Sequence, residues 1–365
     1  MEESTWMVRV ERLTELVLDT LYAVLSSLPC GSGSAQVQIN GKNYEIVKLL
    51  GEGGFSLVYL IRDPASGQQY ALKKIRCQNG EASVREALAE VDAMRRFRGP
   101  NVIRVCDAAV VRDDAHASVR GNVPAHDEES GQGRIVYIVL PYFANGNLQD
   151  AINAHVIHAS RYDEKTMLHL FLGACRGVQT MHNHALPEFK VDQSDTKDQE
   201  ESLLFDADSD AAYPPAPSMK VSNSSDMRDD LAREAYAHRD IKPANIMIAD
   251  DCRTAILMDF GSTLKAQIPI KSRKEAIAHQ DLAAERSSMP YRAPELYDVK
   301  TDAVLDEKVD IWALGCTLYA MAYLHSPFET ASTTEQGGSL ALAVLNGSYK
   351  FPANDSYSET RTTYD

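Results

Sequence analysis

The stretch AYAHRDIKPANIMIADD, residues 235–251, constrains this chain more than any other. It sets Arg239 beside Asp240, with Lys242 two residues after that aspartate and Asn245 five after it. A β-rich apolar run then leads to MDFG, which adds a second carboxylate, Asp259. A fold that uses this pattern has to hold one ammonium, one amide and two carboxylates together.

The segments around it fall into a clear order. Residues 10–28, VERLTELVLDTLYAVLSSL, place Leu13, Leu16, Val17, Leu21, Val24, Leu25 and Leu28 on one helical face, and LPCGSGS breaks that helix. Asp19 and the acidic start argue against a secretory signal peptide. From Asn43 the period changes: NYEIVKLLGEGGFSLVYLIRD reads as two strands around a glycine-containing turn, and YALKKIR as a third strand. EASVREALAEVDAMRRF is helical, and VIRVCDAAVV and RIVYIVLPYF read as two more strands around a polar loop, residues 112–133. Beyond Asn145 the pattern is mainly helical, and the apolar run IWALGCTLYAMAYL, too short to span a bilayer, reads as a buried core helix.

Charge marks one segment as foreign to this pattern. Of a formal net charge of -15, residues 188–234 carry thirteen Asp or Glu against five Lys or Arg, a balance of -8. With many Ser, Asp and Pro and few aromatics, about residues 187–234 read as an acidic disordered insertion. Its serines among acids (Ser194, Ser202, Ser209) are either phosphorylation sites or part of a solvated tract. The overall acidity argues against a nucleic-acid binder and against a polybasic membrane tether. Six scattered cysteines point to a reducing compartment, not a disulfide framework. His155 and His158 lie three apart, but no Cys or carboxylate pair completes a tetrahedral zinc site.

The remaining parts of a charge-handling site lie upstream. GEGGFSLV carries Gly51, Glu52, Gly53, Gly54, Phe55, Ser56 and Val58 in a turn between strands; small residues there let backbone N–H groups approach phosphates. Lys73, on the next strand between Leu72 and Ile75, needs an anion. On the following helix Glu90 is the partner expected, with Glu86 one turn earlier as the alternative. Phosphoryl transfer is mostly positioning and electrostatics, and it wants this set. Asp240 would accept or orient the nucleophile's proton, Lys242 would offset charge on the moving group, and Asn245 and Asp259 would supply hard oxygen ligands to Mg²⁺.

Glycine-rich loop, strand lysine, HRD with its Asn, DFG and APE (Ala293, Pro294, Glu295) follow in the order of the protein-kinase motif set. The resemblance covers roughly residues 43–352. GEGGFS, ALKKI, LPYFANGNL, HRDIKPAN, DFGS and AERSSMPYRAPEL resemble the Numb-associated kinase family, and look closest to its lipid-anchored branch with fungal vacuolar-membrane members. That resemblance implies an α+β bilobal kinase fold, with a small β-rich N-lobe over residues 43–142 and a larger helical C-lobe over residues 143–365. It implies ATP and Mg²⁺ as cofactors and proteins with Ser or Thr as substrates; Lys242 and Ser288 fit that specificity. By the same match Leu140 would guard the back of the adenine pocket, Tyr142 and Phe143 would form the hinge, and Val58 and Ala71 would lie above the base. Asp310 would tie the helical lobe to the HRD turn. The location implied is cytoplasmic, peripheral on a vacuolar or Golgi membrane.

Three departures qualify the match. Glu2 excludes N-myristoylation, which needs Gly after Met. Residues 1–34 then act in one of two ways: as an amphipathic segment with Cys30 palmitoylated at a membrane, or packed on the small lobe with Cys30 inert. The acidic insertion is the second departure, tolerated because loop closure cost grows slowly with length. The third is that family members continue past ALAVLNGSYKFP into further helices, where an arginine usually pairs with the APE glutamate. The expectation is therefore a C-lobe lacking its terminal helices, with Glu295 short of a partner. If about 400 Å² of apolar core were bare, the loss would be about 10 kcal/mol, against a domain stability of ~5–15 kcal/mol. Two functions follow: an active serine/threonine kinase, or a catalytically impaired kinase-fold scaffold at a membrane.

Overall fold

The computed structural model describes residues 35–53, 56–77, 80–112, 133–185, 234–329, 339–352 and 357. The expected N-terminal helix with Cys30, the loop-tip residues Gly54 and Phe55, nearly all of the polar loop and nearly all of the acidic insertion lie outside the described residues.

The first element differs from expectation. β1 (Gln36–Ile39) pairs antiparallel with β2 (Lys42–Glu52). Asn40 and Gly41 between them both take positive φ, 46° and 77°. Two such residues are what a tight two-residue hairpin turn requires, and Asn-Gly is its strongest sequence signal. The small lobe therefore begins upstream of the Asn43 start, with QVQINGKNY as one hairpin.

β3 (Ser56–Arg62), β4 (Gln69–Cys77), β5 (Asp107–Arg112) and β6 (Arg134–Pro141) complete an antiparallel six-stranded sheet in the order β1-β2-β3-β4-β6-β5. Its register sets Val58 opposite Lys73 and Ala71 opposite Leu140. A one-residue slip would turn each of these side chains to the other face. α1 (Glu81–Arg96) connects β4 to β5 and buries Val84, Ala87, Val91 and Met94 at helical spacing. Glu90 is buried among them, so its partner has to come from the sheet below.

From β6 the chain passes through Tyr142 and Phe143 into a helical lobe. α2 (Leu148–Ile157) starts on a reciprocal Asn147–Asp150 capping box, and α3 (Glu164–His182) on Asp163. Such caps satisfy backbone N–H groups that have no partner inside the helix. Short hairpins then alternate with helices. β7 (Tyr236–Ala237), β8 (Ile246–Ile248), β9 (Ala255–Leu257), β10 (Leu264–Lys265) and β11 (Ile268–Pro269) are followed by α4 (Arg273–Arg286), β12 (Val304–Leu305), α5 (Lys308–Tyr323) and α6 (Leu340–Leu345). β8 pairs with β9, β7 with β10, and β11 with β12.

α5 is the core helix expected from IWALGCTLYAMAYL: Val309, Ala313, Leu314, Cys316, Tyr319, Ala320, Met321 and Ala322 are buried around most of its circumference. Ile311, at 55% exposure, lies on the exposed strip of the helix with Lys308 and Gly315. Among the described residues no helix is long and apolar enough to cross a membrane. α3 lies close on the β8–β9 hairpin. A Cβ at Gly177 would meet the Asn101 carbonyl oxygen at 2.7 Å and Leu257 Cβ at 3.0 Å, so only glycine permits that approach. The hairpin carries Asn245 at its entry and Asp259 at its exit, and this packing therefore fixes both.

Candidate active site

Lys73 projects from β4, and its Nζ donates to Glu90 Oε1 at 2.7 Å and Oε2 at 2.9 Å. Asp259 Oδ1 is 3.7 Å from the same nitrogen. Burial alone would push the Lys73 ammonium down, but Asp259 and Glu90 outweigh it and hold it above the ordinary lysine range. The lysine is thus held cationic. Of the two glutamates considered, Glu90 is the partner; Glu86, one turn earlier, pairs instead with Arg286 at 3.0 Å.

The turn 238–240 hangs on one buried carboxylate. Asp310, near the start of α5, accepts the His238 backbone N–H at 2.8 Å through Oδ2 and the Arg239 backbone N–H at 2.8 Å through Oδ1. His182 Nε2 lies 2.9 Å from the same Oδ2. Arg239 sits at φ 68°, a left-handed conformation that side chains other than glycine seldom adopt. Asp310 therefore anchors an unfavourable backbone turn, in the tying role expected for it. His238 Nε2 contacts the Met258 carbonyl at 3.0 Å, which links the turn to the strand entering Asp259.

Asp240 gathers donors from three directions. Oδ2 accepts Lys242 Nζ at 2.8 Å and Asn245 Nδ2 at 3.0 Å, and Oδ1 accepts the Ser288 backbone N–H at 2.8 Å. Lys242 also donates to the Ser288 hydroxyl at 2.6 Å. Asn245 Nδ2 makes a further bond to the Asp240 carbonyl at 2.8 Å, so the amide is turned with its nitrogen toward Asp240. The Asn245 carbonyl accepts the Met258 N–H at 3.0 Å and stitches the two halves of the hairpin together.

Asp259 follows β9 at φ 65°, and its side chain is 40% exposed. Burial raises its carboxyl, but Lys73 and then His238 outweigh that and hold it below the usual carboxylate range. It is an available anion. The next residue, Phe260, stacks on Phe97 at the end of α1 at 5.8 Å and leans on His238 at 5.3 Å. Ring packing thereby locates the carboxylate relative to both lobes.

These residues fit a magnesium nucleotide on donor chemistry. Asp259 offers a carboxylate and Asn245 an amide oxygen, while Lys73 supplies the opposite charge for phosphate. Mg²⁺ prefers a few hard protein oxygens completed by phosphate and water. Among the described residues no three His, Cys, Asp or Glu side chains gather as a metal set; His155 instead packs its ring 4.3 Å from that of Tyr162. The glycine turn between β2 and β3 is closed by Gly53 N–H to the Ser56 carbonyl at 2.8 Å, and a Cβ at Gly51 would meet nothing within 4 Å. That open space suits a backbone that approaches a phosphate. Val58 and Ala71 lie half-buried on adjacent strands, Leu140 is buried opposite Ala71, and Tyr142 and Phe143 follow on the strand exit.

Sequence reasoning missed the Arg286–Glu86 pair and the bracing of Ser287. Arg292 donates through Nε to the Ser287 hydroxyl at 2.7 Å and through Nη2 to its carbonyl at 2.9 Å. No short-range pattern announces a pair 200 residues apart. Arg292, the arginine after PY, is buried at 7% exposure. Among the described residues Glu295 forms no ion pair.

Residues 44–197 and 231–362 match the family model described as the protein kinase domain. The gap between the two matched parts falls in the acidic segment. The chain is 35% identical over 349 residues to the serine/threonine-protein kinase ppk13 of Schizosaccharomyces pombe, across 96% of this chain and 90% of that one. It is 33% identical over 345 residues to the serine/threonine-protein kinase ENV7 of Saccharomyces cerevisiae, across 90% and 87%. Serine/threonine-protein kinase 16 of Homo sapiens is 31% identical over 317 residues, across 87% and 81%.

Proposed function

The chain belongs to the protein kinase family, and from that premise we propose that it transfers the terminal phosphoryl group of ATP to serine and threonine hydroxyls of proteins, with Asp240 at the acceptor hydroxyl. The observation that carries this reading is the placement of Asp240. A carboxylate has about four lone-pair sites; Lys242, Asn245 and the Ser288 N–H take three, two on Oδ2 and one on Oδ1. One site on Oδ1 remains to orient the incoming hydroxyl and receive its proton.

The other residues divide the work by charge and shape. Lys73, held cationic and steered by Glu90, meets the nucleotide phosphates beneath the glycine turn between β2 and β3. Asp259 and Asn245 would hold Mg²⁺, which when bound would neutralise phosphate charge. Lys242, bonded to Asp240 and Ser288 together, offsets charge where the hydroxyl meets the phosphoryl group. Val58, Ala71, Leu140, Tyr142 and Phe143 line the base pocket. Serine/threonine specificity is supported by the names of the relatives and by the Lys242–Ser288 bond.

Asp240→Asn separates transfer from binding. The amide cannot accept the hydroxyl proton, so kcat should fall at least ~10²-fold, the usual scale for losing a general base, while affinity for magnesium nucleotide stays within about twofold. Undiminished transfer by the variant would remove Asp240 from this role. A scaffold reading would require a wild-type chain that binds nucleotide and transfers nothing, although every charged group of the site is in place.

A further inference from the structure

α1 carries two glutamates one turn apart, and they face different parts of the molecule. Glu90 is inside with Lys73, whereas the Glu86 side chain is 67% exposed and receives Arg286 Nη2 at 3.0 Å. Arg286 is the last residue of α4. Its carbonyl accepts the Ser262 hydroxyl at 2.5 Å, three residues beyond Asp259. Ser287, next in sequence, is braced by the buried Arg292 guanidinium. Ser288, one further, gives its N–H to Asp240 and receives Lys242. Arg286 and Ser288 thus touch the helix that steers Lys73, the segment that follows Asp259, and the carboxylate proposed to meet the acceptor, with Ser287 braced between them.

We infer that Arg286 is a positioning residue for the transfer reaction: its grip on Glu86 holds α1, and with it Glu90, in the place where Lys73 is correctly aimed, and ties that placement to the segment that seats Asp240. This rests on the kinase reading above. The pair contributes little to global stability, because exposed ion pairs are screened and bring ~0.2–1 kcal/mol. Its effect is conformational. The contact exists only when α1 lies against the end of α4, so it favours that arrangement by the whole of its own free energy and no more. The ceiling corresponds to about a fivefold change in population. Glu86 is the only α1 carboxylate this arginine meets among the described residues, since Glu90 is committed to Lys73.

A charge swap in the full chain tests it. Arg286→Glu and Glu86→Arg singly should each lower kcat/KM for magnesium ATP about two- to fivefold at low ionic strength, with melting temperatures unchanged. The deficit should shrink in high salt. The double swap, Arg286→Glu with Glu86→Arg, should recover most of the activity; with melting temperatures unmoved throughout, loss and recovery read the placement of α1 and not global stability. Hydrogen exchange of the α1 amides, read without nucleotide, should rise in both single variants and fall back in the double. Should charge reversal at 286 unfold the chain, Glu86→Gln at its exposed position reads the same loss. Single variants as active as wild type, or a double swap no better than either, would overturn the inference. A wild-type chain that transfers no phosphate would sink the parent reading instead, and unchanged α1 exchange in the singles would then still decide against the coupling.

Discussion

Asp310 shows how much one side chain can organise. It is fully buried and answers two backbone N–H groups and an imidazole. Removing it leaves both N–H groups buried without acceptors beside a left-handed arginine, at ~1–3 kcal/mol for each orphaned group. Asp310→Ala should therefore cost about 3 kcal/mol or more, read as a lower urea midpoint at unchanged m. A loss under about 1 kcal/mol would show that the turn holds without it. The gathering of Lys242 and Asn245 on Asp240 was legible because the three sit within six residues of one another. The choice between Glu86 and Glu90 was open in sequence, since both lie on one helix a turn apart. What separates them is the sheet beneath: Glu90 shares the buried face of Ala87 and Met94, which sit three before and four after it.

At the scale of elements, the β8–β9 hairpin is the piece that places Asn245 and Asp259, the pair proposed to hold Mg²⁺, and its turn depends on Asp251. The Thr254 hydroxyl at 2.6 Å, the Thr254 N–H at 2.8 Å and the Arg253 N–H at 2.9 Å all donate to that carboxylate. Together they hold its pKa down to about 2, the Thr254 hydroxyl most of all. A carboxyl depressed in the folded state stabilises above its unfolded value, ~3.9, and loses that contribution as pH falls through the folded one. The melting-temperature gap between wild type and Asp251→Asn should be full above about pH 5 and narrow as acid is added; a gap constant across that range would contradict the assignment. Most elements were readable: β2 to β6 from alternation and turns, α1 from its helical pattern and α5 from its continuous apolar run. β1 is only four residues long and closely follows the LPCGSGS helix breaker, so its one local signal is the Asn-Gly turn. The two-residue strands β7, β10, β11 and β12 have no periodicity to read, and only their tertiary partners define them.

Across the whole molecule, the strand-rich and helix-rich lobes are consecutive in sequence, which is why the two-lobed architecture was visible in advance. What joins them was not. The Lys73–Asp259 approach, the Phe97–Phe260 stack and the Arg286–Glu86 pair each connect residues far apart in the chain, and such contacts leave no mark on local pattern. Together they join the lobes around the cleft where phosphate, metal and acceptor hydroxyl are proposed to meet. The central claim is that this cleft moves a phosphoryl group onto protein hydroxyls. The most direct measurement is phosphoamino-acid analysis of a protein acceptor after incubation of the full chain with γ-labelled ATP and Mg²⁺. Label on serine and threonine that vanishes when Mg²⁺ is chelated is the predicted result; label on tyrosine alone, or none from a folded chain that binds the nucleotide, would contradict it.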